Sequence, residues 1–477
     1  MKLTRRELFQ AGAAGAVLGA AGCSPGLKKL AFGPPPDLEP PAGFEDADAA
    51  LLYRIGFGPA PGELERLHEL GREAYIDRQL AAAEEDSLEL KFRLSRLDVL
   101  RLTESDMHDL PEERILEQLQ QAAILRAVHS PNQLLERMSD FWTNHFNIYA
   151  RKGYAAWRKP GDDLNVIRKN ALGKFPDLLK ASAHSPAMLA YLDNQVNVKG
   201  VANENYAREL MELHSLGVDG GYTQKDVKEV ARCFTGWTIE RRFLRPRGKF
   251  RFDPELHDDG EKTVLGHRIP AGGGVEDGER VLEILGAHPA TAKFIGEKLA
   301  RYFLGEEASP WPKRLAESYL ATGGDLKQMI RPMLLSEEMK RAKPIFKRPF
   351  DFVVSSVRAF GGQTDGGKAI QGHLEAMGQP LHQWPMPDGY PDRTAAWTGS
   401  LLARWNFALA LAHGEIDGTS VDLERLPGKS EAERRGNAAR LALAHTGNRA
   451  MEKVLSSCAT DREAVALCLA APGFQWR

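Results

Sequence analysis

The sequence predicts a mainly α protein: one large multi-helix globular unit with a small β-hairpin insertion near residues 248–269. Two observations carry this. Apolar residues recur at three- and four-residue steps through most of the chain, as at Leu134, Leu135, Met138, Phe141, Trp142 and His145. Only the stretch from Arg241 to about Gly274 turns to strand-like alternation, at Phe250-Arg251-Phe252 and Thr263-Val264-Leu265-Gly266, around the Asp258-Asp259-Gly260 turn. The chain has 477 residues, 43% of them hydrophobic, which is enough for a large core.

The first segment is read as a targeting signal and set apart from the fold. Thr4-Arg5-Arg6-Glu7-Leu8-Phe9-Gln10 has the form of a twin-arginine export motif, and the Ala/Gly-rich run from Ala11 to Ala21 is too short to remain as a spanning helix. Ala20-Ala21-Gly22-Cys23 has the form of a lipobox, with Ala20 where Leu is usual. Residues 1–22 are therefore expected to be a signal peptide. Cys23 is expected to carry lipid, and residues 23–43, rich in Pro and Gly, to be a tether to the membrane. Residues 44–477 then form the helical domain, with a subdivision open near 241–275. The expected location is the periplasm or outer cell envelope. A formal net charge of −2 gives no reason to expect a nucleic-acid partner. Four cysteines without a CxxC pair exclude a disulfide scaffold, and leave open whether Cys458 and Cys468 pair.

Helices are expected at 46–53, from Pro61 onward, at 73–83, 112–129 and 134–145. Next comes 162–179, with its charges exposed, and a helix entered at Ser185-Pro186. The polar loop 194–202 leads into 203–217, with Gly217 as the stop. Further helices follow from Gln224, at 276–285, 289–303, 326–335, 349–360, 367–376 and 401–412. A charged linker over 417–433 precedes two terminal helices.

The stretch 203–217 is the densest run of amides, carboxylates, Arg and His in the chain. On a helical wheel Tyr206, Leu210 and Leu213 share one side, with Asn203, Ala207 and His214 on its flank. Asn205, Arg208, Glu209 and Glu212 share the other. His214 and Asn203 thus point inward, where polar groups need partners, and are placed to face His145 on the earlier amphipathic helix. The candidate catalytic residues are Asn144, His145, Asn203, Asn205, Glu209, Glu212 and His214. Carboxylates supply a general base or hard metal ligands, and His a proton shuttle or metal ligand. His145, His214 and Glu209 are the candidate ligands of a divalent metal; no other cofactor is assigned. The competing readings are a hydrogen-bonded core histidine for His145 and a solvated face, with Arg208 paired to Glu204 or Glu212, for the charges. For His257-Asp258-Asp259 a solvated turn is favoured over a metal site. Gly272-Gly273-Gly274 lacks the Gly-Lys-Ser/Thr of a phosphate loop.

The second informative stretch is Leu381-His382-Gln383-Trp384-Pro385-Met386-Pro387-Asp388-Gly389-Tyr390-Pro391. Its prolines exclude a regular element, and its aromatics suit packing across a groove or lining a site. Trp237, Trp384 and Tyr390 are the candidate groove aromatics, with a packing plug as the competing reading for Trp237.

Several of these stretches together resemble the bacterial DUF1800 family. They are 51–59, Asp140-Phe141-Trp142-Thr143-Asn144-His145-Phe146, 203–217 with Gly220-Gly221-Tyr222-Thr223, Phe234-Thr235-Gly236-Trp237, His257-Asp258-Asp259-Gly260, Trp384–Tyr390 and Phe474-Gln475-Trp476-Arg477. The resemblance implies a mostly helical exported bacterial protein. It also implies an exported, alkaline-phosphatase-like partner, and it supplies no catalytic residues. Three functions stay open at this point: an envelope enzyme of metal-assisted hydrolase type, a lipid-tethered binding or assembly factor, and a structural envelope protein.

Overall fold

A computed structural model describes residues 46–241, 246–305, 310–421, 428–443, 455 and 458–477. The expected signal, the tether with Cys23 and the middle of the 417–433 linker lie outside these residues. Helices follow one another from Ala47–Ile55 to Asp461–Ala470, and among the described residues only three two-stranded antiparallel sheets interrupt them. The protein is mainly α, as its periodicity predicts. No helix among the described residues is long and apolar enough to cross a membrane.

Local chemistry sets the helix ends. Asp46 caps the first helix by accepting from the backbone N–H groups of Asp48 and Ala49. Thr223 and Asp226 form a reciprocal capping box on Gln224–Cys233. Gly217 stops the 203–217 segment at φ +81°, and a Cβ there would sit 2.9 Å from the Phe294 ring.

Two large apolar cores result. The first gathers Leu134, Met138, Trp142, Phe175, Tyr206, Leu210, Phe234 and Leu299. The second gathers Ile124, Phe352, Val357, Leu411, Leu467 and Phe474. Helix Gln133–His145 belongs to the first and helix Pro349–Ala359 to the second. Between them lies Asp351, 1% exposed. Arg137 donates a hydrogen bond to it, and the Arg477 Nε lies 3.3 Å from its carboxylate. Arg348 also pairs with Asp140. Residues 475–477 reach this centre by backbone pairing: Ile345 N–H and Arg477 N–H each donate to the other's carbonyl at 2.8 Å, and Lys347 N–H donates to Gln475 O.

Three expectations are corrected. The predicted single hairpin is two. Trp237–Arg241 pairs with Pro246–Phe252, and Lys262–Val264 with His267–Ile269, so 250–252 pairs back onto 237–239 and 262–264 forward onto 267–269. The charges of 162–179 are not all exposed: Asp162 and Asp163 are buried, Asp162 bonded to Lys159 at 2.6 Å and to the Ser185 hydroxyl at 2.7 Å. His257 is no solvated turn residue. It is 2% exposed, with Nδ1 2.8 Å from Thr235 O and Nε2 3.2 Å from Asp277, while Asp258 is held by Arg232. Among the described residues Cys233, Cys458 and Cys468 form no disulfide.

The 203–217 segment also departs from one regular helix. Glu204–Glu209 is α-helical, but Leu210–Ser215 is a π-helix, with Leu216 N–H donating to Met211 O. A second π segment, Asp163–Arg168, continues helix Ala155–Asp162. Such wide turns are rare and cluster at functional sites.

Candidate functional site

The site grows from the C-terminal end of helix Gln133–His145. His145 is 2% exposed, and both its ring nitrogens are engaged. Its Nε2 lies 3.1 Å from the backbone carbonyl of His214, and the Lys298 ammonium lies 2.9 Å from its Nδ1. A carbonyl only accepts and an ammonium only donates. The ring is therefore neutral, with its proton on Nε2 and its lone pair on Nδ1. Burial, reinforced by the Lys298 charge, holds the His145 pKa well below the usual range. The π-helical turn sets His214 beside it, ring centroids 6.1 Å apart, with the His214 pKa driven down to about 3 by burial.

This arrangement bears on the metal reading. A metal needs a free imidazole lone pair, and the one on His145 is bound to Lys298. Among the described residues no group of three or more His, Cys, Asp and Glu side chains is disposed to hold an ion, His145, His214 and Glu209 included.

Lys298, on helix Pro289–Leu304, is the residue that sequence reading missed. Burial lowers its ammonium to about 8, against the opposing pull of Asp392 and Asp388 on the loop after Leu381. Asp388 also acts on Glu209. Burial first, then Glu212, with Asp388 adding to them, raise the Glu209 pKa, and Arg208 opposes the rise. Burial raises Tyr191, with Glu209 and Asp388 adding to the effect. Lys298, Glu209, Asp388 and Tyr191 thus share one electrostatic neighbourhood. Its amine and its carboxyl are both shifted toward neutrality, the pattern of an acid–base pair. Glu212 lies at its edge, accepting from the Tyr222 hydroxyl at 3.4 Å.

The loop that brings Asp388 is held by its backbone. Asn144 donates to Tyr390 O at 3.0 Å and accepts from Tyr390 N–H at 2.7 Å. Asn147 donates to Trp384 O and Met386 O, and the Tyr191 hydroxyl donates to Pro385 O at 2.9 Å. Gly389, at φ +79°, passes so close that a Cβ would sit 2.3 Å from Asn144 O. Asn144 is therefore a clamp on the loop.

The remaining sequence candidates separate. Asn203 caps its helix by accepting from Asn205 N–H, and Asn205 donates to Leu192 O. Asn205 thereby ties 203–217 to the end of the preceding helix Pro186–Tyr191. Arg208 pairs with Glu204 at 3.0 Å, as the solvated-face reading expects. Tyr390 and Trp384 pack within the loop as a tilted pair, ring centroids 5.0 Å apart. Trp237 is elsewhere: fully buried against Phe234, Phe250 and His184, it is a packing plug.

A mainly α protein with a proline-rich loop clamped to the end of helix Gln133–His145 is the class that this geometry defines. The model of the family described as "Protein of unknown function (DUF1800)" matches residues 50–476, and the chain belongs to that family. No curated protein and no solved structure matches the chain.

Proposed function

We propose that this is an exported, lipid-anchored envelope protein with hydrolase-type activity on an extracytoplasmic substrate, acting by general acid–base chemistry. The export motif and Cys23 support the location. The observation that carries the activity is Lys298, its amine 2.9 Å from a neutral, buried His145 and its pKa lowered by burial to about 8. An amine near its titration point takes a proton from an attacking water; Glu209, raised in pKa, gives one to the leaving group. His145 positions Lys298 and does not itself turn over.

The test is a panel of chromogenic esters, glycosides and phosphate esters with wild type, Lys298→Met and Glu209→Gln. Turnover that falls at least about 100-fold in both variants supports the reading. An amine-labelling midpoint for Lys298 above about 10, the ordinary lysine value, sinks it. Mass analysis of the mature N-terminus tests lipid on Cys23.

A second reading rests on Met386, which is 56% exposed on the proline-rich loop. A non-catalytic assembly factor would dock an exported partner there, the alkaline-phosphatase-like protein being the candidate. Loss of a pull-down in Met386→Asp with turnover intact would favour docking.

A further inference from the structure

Helices Glu112–His129 and Lys368–Ala376 line a groove of about 270 Å³, with Arg151 and Gln383 completing its lining. Glu113, Glu117 and Gln120 recur on the first helix, and Lys368, Gly372 and Glu375 on the second, at the same four- and three-residue steps, so each helix turns one face to the groove. Gln371, on the second helix, donates to Glu117 O on the first at 3.0 Å and to Gly366 O at 2.7 Å. The two walls are thereby fastened together and the groove is preformed.

Three of its residues lack a reason within the fold. Gln120 is 6% exposed, yet its side-chain amide bonds to no described residue; buried amides are normally paired. Gly372 stands inside a helix, where Gly is less stable than Ala, and a Cβ there would meet nothing within 4 Å. Its bare backbone leaves room in the groove. Glu375 has no ion-pair partner among the described residues. The other charges are loosely held. Arg151 lies 3.5 Å from Glu112 and 3.8 Å from Glu113, and Lys368 lies 3.5 Å from Glu117. Close charged pairs sit at about 2.7–2.9 Å, so these can turn to a ligand. Arg151 is anchored by its Nε, which donates to Gln383 Oε1 at 2.6 Å.

The lining selects the ligand. Glu113, Glu117 and Glu375 outnumber Arg151 and Lys368, so a simple anion meets surplus acid, and a simple cation leaves both bases unused. A molecule with an ammonium at one end and a carboxylate at the other uses both. The Gln120 amide offers a donor and an acceptor in one plane, the complement of a peptide group. A cavity of roughly 150 Å³ holds benzene; the groove has room for nearly twice as many heavy atoms, the size of a dipeptide. We propose that this groove binds a dipeptide-sized zwitterion, its ammonium on Glu375, its carboxylate on Arg151 and its peptide group on Gln120. The site is separate from Lys298 and stands or falls apart from it.

The full chain is titrated, by calorimetry and ligand-observed NMR, with alanylalanine, with its N-acetylated and C-amidated form, and with glucose. Wild type and Lys298→Met are expected to bind alanylalanine equally, and the capped form and glucose at least about tenfold more weakly. Glu375→Gln and Gln120→Leu are each expected to weaken alanylalanine binding at least about tenfold. Gly372→Met fills the groove and is expected to abolish binding while melting no lower than wild type, because Met favours a helix and meets open space. No binding of alanylalanine by wild type, equal binding of the capped form or of glucose, or unchanged binding in Glu375→Gln or Gly372→Met would each overturn the proposal. Should Gln120→Leu fail to fold, Glu375→Gln and Gly372→Met decide, since both positions are exposed.

Discussion

The side-chain amide of Asn144 pairs with the backbone of Tyr390 as a neighbouring strand would, donating to its carbonyl and accepting from its N–H. Two residues 246 positions apart in sequence thereby fix the loop to the end of helix Gln133–His145. Asn144→Ala removes both bonds and leaves two backbone groups unpaired. At about 1 kcal/mol each, the expected loss is about 2 kcal/mol in denaturant unfolding, with faster proteolysis between Trp384 and Tyr390. An unchanged midpoint would mean that the loop is held by other contacts.

Gly389 is the other half of that clamp. Its φ of +79° and the 2.3 Å approach to Asn144 O leave no room for a Cβ. Gly389→Ala is expected to cost about 2 kcal/mol and to displace Asp388 from Lys298. The measurement is the Lys298 labelling midpoint, which should fall further once the carboxylate no longer supports the charge.

Acid should destabilise the protein before its carboxylates titrate. His214 is held neutral in the fold, its pKa moved by burial from the ordinary 6.5 to about 3. Between those values the unfolded chain binds the proton and the native one does not, so stability is complete above about pH 6.5 and falls as pH drops. The slope for one such group reaches about 1.4 kcal/mol per pH unit. His214→Gln is expected to flatten the stability profile between pH 6.5 and 4. A variant profile parallel to wild type would contradict this.

Asp351 is the shared counter-charge of Arg137, Arg348 and Arg477 at the junction of the two cores. Asp351→Ala would leave buried guanidinium groups uncompensated, a loss of about 3–5 kcal/mol or more. The expectation is insoluble or molten protein by circular dichroism and calorimetry. Cooperative unfolding at the wild-type temperature would show that the cations find other partners.

Helices with strong apolar periodicity and clear punctuation were legible, because both signals are local. Glu112–His129 was read to the residue between Pro111 and the Ser130-Pro131 turn. The inward direction of His145 also follows from the wheel, whereas the π-helical turn at Leu210–Ser215 decides how His214 meets it. What did not follow was decided at a distance. Nothing near Asn144 says that its amide serves Tyr390. The π-helical turn at Leu210–Ser215 has no marker in composition. The two hairpins went unread because alternation says that a strand exists, not which neighbour it takes. Lys298 carried no signal, being one of several charged positions on Pro289–Leu304. Gln120 carried none either, being one of several polar positions on Glu112–His129.

The position of Arg477 has a consequence for synthesis. It reaches Asp351 beside Arg137, and the Ile345–Arg477 pairing seats it there. A chain still emerging from the ribosome can assemble its early helices, but Asp351 lacks one of its counter-charges until residue 477 is free. That pairing therefore forms only after residues 475–477 have been made, late relative to the helices it joins, and a proteolytic clip in residues 475–477 should act as strongly as one deep in the core.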